Sequence, residues 1–334
     1  MAISYQVLGR PFEDNALYVR VEPGESVHRF LFDCGEKVVD PLTNAELMSV
    51  NHLCFSHFHM DHISGFDSLF RLNYDRVDEP LHVWGPEGAQ ELLHHRLRGF
   101  TWDLVEGKKG RWILHEITGD WVSTAIAYTG EAFSTLHRQG SSSFGGDLLT
   151  TDDFILEAAI LPHHVSVLAY RISEPESVNV DPQALESLDI APGEWLQTVK
   201  NTSRDPEEIL HIGGRKYRLG DLQNRLLRRS SGESIAYVTD FTWEEKAVER
   251  LTSMLSGCEI MVCESTYLEE DRDLATKNYH ITARQAGEIA RRADAGKLIL
   301  VHYSQRYQDR GAEVLLEEAR SVFPESYLPE SWYN

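Results

Sequence analysis

The chain has 334 residues, 42% hydrophobic and 25% charged, with a formal net charge of −21; this is the balance of a soluble globular protein with room for one large α/β domain or two modest ones. So acidic a chain repels a polyanion at long range, which argues against general affinity for nucleic acid. No apolar run approaches the roughly 18–20 residues of a membrane span, and the opening MAISYQVLGRPFEDN has no basic stretch leading into an apolar one, so neither insertion nor secretion is expected.

Short apolar runs bounded by polar or Gly-containing turns predict strands at 16–21 (ALYVRV), 29–33 (RFLFD), 52–56 (HLCFS), 81–85 (LHVWG), 154–161 (FILEAAIL) and 166–172 (SVLAYRI). Three more follow at 234–239 (SIAYVT), 259–265 (EIMVCES) and 297–302 (KLILVH). Helix is predicted over 87–97, after a Gly-Pro, and over 282–295, where Thr282 offers a cap and Ala286, Ile289, Ala290 and Ala293 share a face. Strands and helices in both halves predict a layered α/β architecture, with 1–334 as a single domain. The stretches at about 100–150 and 173–232, the second turn-rich with SEPESVNVDPQ and APGEW, read as insertions. Cys34, Cys54, Cys258 and Cys263 are scattered, three of them inside strand-like runs, as expected of reduced core residues in a cytoplasmic protein. Between Arg215 and Arg229, six basic residues (Arg215, Lys216, Arg218, Arg225, Arg228, Arg229) accompany one acid, Asp221. Such a segment is either a solvated helix face or a local phosphate-contacting patch.

The chemistry concentrates in residues 53–65, LCFSHFHMDHISG, which place His57, His59, Asp61 and His62 within six positions. His163 follows EAAIL and a proline, Asp240 follows SIAYVT, and His302 ends KLILV. Each group stands at the carboxyl end of a predicted strand, where an α/β sheet presents its ligand-binding loops. Imidazole and carboxylate donors suit Zn²⁺, and Mn²⁺ and Fe²⁺ remain open on ligand type. The alternation His57-x-His59 puts both imidazoles on one side of an extended turn, while Asp61 and His62 enter the next helix. Four donors from one loop overfill a single tetrahedral ion. Two adjacent ions fit better, with a shared carboxylate such as Asp240 holding them about 3.5–4 Å apart and a bridging water acidified towards hydroxide. His164, beside His163, is the alternative ligand there. His28, His52, His82, His94, His95, His115, His137 and His211 are taken as structural or exposed.

SHFHMDH at 56–62 resembles the HxHxDH signature of the metallo-β-lactamase superfamily, whose fold is a four-layer αβ/βα sandwich. Further segments resemble its ribonuclease Z group: FLFDCGE at 30–36, VWGPEG at 83–88, His163 with Tyr170 seven residues on, VTDFT at 238–242, ESTY at 264–267, HIT at 280–282 and VHYSQRY at 301–307. The resemblance implies two Zn²⁺ per chain, one on His57, His59 and His163, the other on Asp61, His62 and His302, with Asp240 bridging. It implies that Asp61 also orients or deprotonates the attacking water, that His280 donates a proton to the leaving oxygen, and that Ser304 and Arg306 contact substrate. The implied activity is phosphodiester hydrolysis at the 3′ end of precursor tRNA, by a cytoplasmic homodimer. Three segments depart from the pattern: LGRPFEDNALYV replaces a glycine-rich loop, Cys263 stands where a histidine is usual, and APGEWLQTVK at 191–200 lacks the second proline of the family's tRNA-gripping arm. With the net charge, those departures favour the alternative, a hydrolase of small phosphodiesters, sulfate esters or lactones. A non-catalytic metal-binding scaffold ranks behind both, because the seven donors and His280 are all present.

Overall fold

The structure, a computed structural model, describes residues 3–188 and 190–333, except the side chains of Ser177, Arg229 and Ser230. Arg229 of the basic segment is therefore followed only as backbone. Eight strands lie side by side in chain order in the first sheet: β1 (Ile3–Gly9), β2 (Asn15–Val21), β3 (His28–Phe32), β4 (His52–Cys54), β5 (Leu81–Pro86), β6 (Arg111–Thr118), β7 (Trp121–Tyr128) and β8 (Leu136–Ser143). Helices α1 (Asn44–Met48), α2 (Met60–Ile63), α3 (Phe66–Asn73) and α4 (Ala89–Arg98) fall in its connections. Strands β3 to β6 run parallel, and the flanking pairs antiparallel.

The chain then enters a second sheet through β9 (Asp147–Thr150), β10 (Ile155–Leu161) and β11 (Val167–Ser173). Residues Glu174–Gly232 form a compact unit of their own. It contains β12 (Ser177–Val180), α5 (Pro182–Glu186), α6 (Trp195–Lys200), the hairpin β13 (Ile209–Ile212) and β14 (Arg215–Arg218), α7 (Leu219–Leu226) and β15 (Leu227–Ser230). Val199, Ile212, Leu219, Leu222 and Leu226 make its small core. The main unit resumes with β16 (Ser234–Val238), α8 (Glu245–Met254), β17 (Ile260–Glu264), α9 (Arg272–Lys277), α10 (Ala283–Arg292), β18 (Lys297–Val301), α11 (Glu313–Arg320) and β19 (Ser326–Tyr327). The second sheet has the order β19-β18-β17-β16-β11-β10-β9.

Side-chain alternation in the strands sets the layers. Phe30, Phe32, Cys54 and Trp84 point from the first sheet towards Phe154, Leu156, Tyr170, Tyr237 and Val262 of the second. Leu31, Leu53 and Val83 point the other way, under Phe66, Leu69, Phe70 and Leu93. On the far side, Ala236, Met261 and Leu298 are covered by Val248, Leu251, Ile289, Ala290 and Leu315. The result is helices, sheet, sheet, helices, the expected four-layer sandwich. Its central strands are buried on both faces, which is why they read as unbroken apolar runs.

All nine predicted strands form, and the two predicted helices are α4 and α10. Thr282 caps α10 in a reciprocal box with Gln285. The stretch 100–150, read from sequence as an insertion, instead supplies β6 to β9 and so completes both sheets. Its strands alternate buried and exposed positions, and β8 (LHRQGSSS) is an exposed edge, so no apolar run marks them.

Three histidines taken as structural share one end of the inter-sheet layer. His52 pairs with His82 and Trp84 with His115 across neighbouring strands. His82 Nδ1 is 2.9 Å from His115 Nε2, Thr124 Oγ1 is 3.0 Å from His115 Nδ1, and Trp84 donates to His52 Nδ1. Burial, reinforced by the neighbouring imidazole of His82, holds His115 down to about 3, and burial likewise depresses His52 and His82. These groups are neutral when folded and take up protons on unfolding. They therefore contribute stability that is complete above about pH 6.5 and declines as pH falls below it; for His115 the window runs down to about 3, at about 1.4 kcal/mol for every pH unit. The urea midpoint is expected to fall between pH 7 and pH 4, and less steeply in His115→Gln; identical slopes in the two proteins would refute this origin.

Candidate metal centre and active site

The site forms where β3, β4, β10, β16 and β18 end. At the end of β3 the chain turns at Asp33, whose backbone is left-handed (φ 61°) and whose N–H donates to the Cys54 carbonyl. Its buried carboxylate accepts from the Ser56 N–H at 2.7 Å, the Ser56 hydroxyl at 2.7 Å, His62 Nδ1 at 2.7 Å and the Tyr237 hydroxyl at 3.1 Å. This one group ties β3 to the loop after β4 and to β16. Gly35 and Gly65 hold the same loops together: a Cβ on Gly35 would lie 2.1 Å from the Asp61 carbonyl oxygen, and one on Gly65 2.1 Å from that of Gly35.

With Nδ1 of His62 engaged by Asp33, Nε2 faces Asp240 Oδ2 at 3.1 Å and Asp61 Oδ2 at 3.3 Å. Asp240 (φ 48°) and His302 (φ 58°) follow their strands in the same left-handed conformation, a costly state for such residues that the surrounding structure must enforce. His302 lies 3.4 Å from Asp61 through Nε2 and 3.3 Å from Asp240 Oδ1 through Nδ1. Its N–H donates to Asn15 Oδ1, and the Thr266 hydroxyl sits 3.1 Å from its Nδ1. On the other side, His57 Nε2 and His59 Nδ1 are 2.7 Å apart, and His57 Nε2 is 3.4 Å from Asp240 Oδ2.

His163 completes that corner. Its Nδ1 meets the Tyr279 carbonyl at 3.0 Å, while its buried Nε2 has no hydrogen-bond partner among the described residues. A buried nitrogen left unsatisfied beside two crowded imidazoles and a carboxylate is what a cation would resolve. Donor atoms of His57, His59, His163 and Asp240 all lie within 4.8 Å of one another, as do those of Asp61, His62, Asp240 and His302. The structure thus assembles all seven residues singled out from the sequence, in two sets that share Asp240, and the all-nitrogen-and-oxygen donor set suits zinc. His164 is outside these sets; it is exposed, with Nε2 3.0 Å from His59 Nε2.

The two halves differ in protonation. Burial, with His62 nearby, lowers His57 to about 2, and burial lowers His163 to about 4, so both are neutral. Burial opposes the charge of His62 and His302, but Asp33 and Asp240 hold the first well above its ordinary range, and Asp240 and Asp61 raise the second. Burial likewise works against Asp61, yet hydrogen bonds from His302 and His62 keep it ionised.

His280 lies beside the shared carboxylate, with Nδ1 3.0 Å from Glu264 Oε2 and 3.8 Å from Asp240 Oδ1. Burial would lower it, but Glu264 outweighs burial, aided by Asp240 and Asp61, and raises it to about 9. Glu264 is fully buried and also accepts from the Phe241 N–H and the Thr266 hydroxyl. Ser304 and Arg306 do not join the cluster: Ser304 caps the turn Gln305–Arg310, and Arg306 faces Asp271 at 3.6 Å. Asp33 and Tyr279 are the contributors the sequence did not reveal. An acid that ends an apolar strand was the available signal for Asp33, since burying it requires donors.

No family model matches the chain. A ribonuclease Z of Deinococcus radiodurans is 39% identical over 330 residues, covering 99% of this chain and 98% of its own length. A ribonuclease Z of Chlamydia pneumoniae is 34% identical over 305 residues, covering 91% and 81%. Among solved structures, the metallo-β-lactamase-fold protein YhfI of Bacillus subtilis superposes with a TM-score of 0.56 at 15% identity, covering 98% and 95%. The short form of human tRNase Z gives 0.56 at 15% identity, covering 92% and 94%. The sandwich is accordingly the metallo-β-lactamase fold, and on the full-length relationship to the Deinococcus protein the chain belongs to the ribonuclease Z family.

Proposed function

We propose that the chain is a metal-dependent phosphodiesterase that cuts precursor tRNA at its 3′ end. In this reading two zinc ions are held by His57, His59 and His163 and by Asp61, His62 and His302, about a shared Asp240; Mn²⁺ or Fe²⁺ would suit the same donors. The observation that carries it is the convergence of those donors with a further imidazole, His280 on Glu264, in a chain aligned end to end with a ribonuclease Z. Zinc here would acidify a water and offset charge on the scissile phosphate. The four cysteines are free and buried, which supports the reducing cytoplasm as the location, and a homodimer is proposed on the family relationship.

The protein's own groups divide the remaining work. Ionised Asp61 accepts a hydrogen bond from the incoming water and so aims it at phosphorus. His280 has Nδ1 committed to Glu264, so Nε2 is the nitrogen that donates a proton to the departing 3′ oxygen. The products are a 3′-hydroxyl on the tRNA and a 5′-phosphate on the trailer. A second reading, hydrolysis of small phosphodiesters, is favoured by the net charge of −21 and by internal pairing in the basic segment, where Arg218 meets Glu207 and Asp221 and Arg228 meets Asp181.

Purified protein offered precursor tRNA with a 3′ trailer, beside bis-p-nitrophenyl phosphate, is expected to release the trailer. Turnover of the small ester alone would move the chain to the second reading. His280→Ala is expected to lower kcat by about 10²–10⁴-fold. Wild-type kcat should fall as pH rises through the His280 pKa, which is about 9 before bound cations offset the share due to Asp240 and Asp61. Glu264→Gln removes the largest raising influence and should shift that alkaline limb to lower pH; an unmoved limb would remove His280 from this role. Zinc must also displace protons from His62 and His302, whereas His57 and His163 are already neutral. Calorimetry at pH 7 in buffers of differing ionisation enthalpy should register proton release on zinc loading, with affinity rising with pH.

A further inference from the structure

Beside the His163 corner, two aromatic rings and a cation stand outside the donor sets. Tyr279 precedes His280 with a left-handed backbone, φ 63°. Its carbonyl meets His163 Nδ1, and its ring packs edge-on against the same imidazole. The residue is 43% exposed, with its ring centroid 5.1 Å from that of His164 and 5.5 Å from that of His163. His164 is exposed as well and lies nearly parallel to His59, at 4.8 Å and 23°. A bulky side chain is not what a left-handed backbone selects, since Asn, Asp and Gly fit there at lower cost. Nor does the ring fill core space. It leaves part of an aromatic ring uncovered at the edge of the donor cluster.

His164 also walls a cavity of about 500 Å³, lined among others by Glu87, Pro162, His163, Val165 and Arg250, a volume within the usual range for small-ligand sites. Arg250, on α8, is exposed, and its side chain makes no hydrogen bond or ion pair among the described residues. Other exposed arginines, such as Arg71 and Arg98, are likewise without an acid among the described residues; what sets Arg250 apart is its place in the cavity wall with His163 and His164.

We infer that this is a nucleotide subsite: the rings of Tyr279 and His164 stack one unpaired base of the substrate next to the scissile linkage, and Arg250 contacts the adjoining phosphate. The inference rests on the phosphodiesterase reading above and adds to it a means of gripping single-stranded RNA at the metal cluster. Stacking on aromatic faces accepts any base, because every base has a π-face, and a guanidinium matches phosphate geometrically. Adjacent to a repelling acidic surface, such short-range contacts let the site hold a strand without a broad basic field.

The test is binding, so it does not depend on turnover. Dissociation constants of adenosine 5′-monophosphate, ribose 5-phosphate and inorganic phosphate would be measured calorimetrically on the zinc-loaded, full-length protein, with metal content determined for every variant. Wild type should bind the nucleotide about 5- to 150-fold more tightly than ribose 5-phosphate, the yield of one stacked base. Tyr279→Asn, which suits the backbone but removes the ring, should collapse that ratio towards one at unchanged zinc content, and Tyr279→Trp should keep it. Arg250→Gln should weaken nucleotide and ribose 5-phosphate by the same factor and leave their ratio alone. A wild-type ratio near one, or a ratio unaffected by Tyr279→Asn, would overturn the subsite. Failure to cleave precursor tRNA with the ratio intact would instead overturn the RNA-processing reading and leave the nucleotide subsite standing.

Discussion

A single buried carboxylate organises the molecule. Asp33 has no exposure to water, a situation that costs a carboxylate several kcal/mol unless donors replace the lost hydration. Four donors do so, from Ser56 twice, His62 and Tyr237. Because they come from the loop after β4, from α2 and from β16, meeting the needs of Asp33 draws the ends of two sheets into register. The same contact selects which nitrogen of His62 is free. The nitrogen left free, Nε2, is the one that faces Asp240 and Asp61.

The donor cluster is divided electrostatically. One corner consists of imidazoles so desolvated and so close together that they stay neutral, with a nitrogen of His163 left unsatisfied. The other consists of imidazoles whose charge is kept by acids on several sides. Asp240 belongs to both, and its left-handed backbone is part of the cost of placing one carboxylate between them. Glu264 extends the second corner outward to His280 and, through Thr266, back to His302. A chain of short polar contacts thus connects proton-holding groups that are far apart in sequence.

The legible parts of the sequence were those where burial is two-sided. SIAYVT, KLILVH and EAAIL announced their strands, and a histidine or aspartate at the end of each announced the site. Strands β6 to β9 were not legible as part of the sheets, because their polar residues alternate with apolar ones and β8 is an exposed edge. Asp33 was visible only as the last letter of an apolar run; its role depends on Ser56 and Tyr237, which no local pattern joins to it. Tyr279 was hidden for a different reason: its hydrogen bond to His163 is made by the backbone, which carries no side-chain signature. Ser304 and Arg306 were singled out by the resemblance of VHYSQRY alone; in the structure Ser304 caps the turn and Arg306 faces Asp271.

The hydrogen bond from the His302 N–H to Asn15 joins residues 287 apart, and it has a consequence in time. While the chain is being made, His57, His59, Asp61 and His62 emerge early, but Asp240 is needed by both donor sets and His302 comes later still. A nascent chain that ends before β16 carries imidazoles with no carboxylate to share, and nothing to anchor the turn after β18. The pairing of β1 with β2 places Asn15 in position long before its partner exists. Contacts between residues so far apart in sequence carry a loop-closure cost and slow folding. Both donor sets are therefore complete only once β16 and β18 have been made, and a chain cut short of them keeps the early histidines without the carboxylate they share.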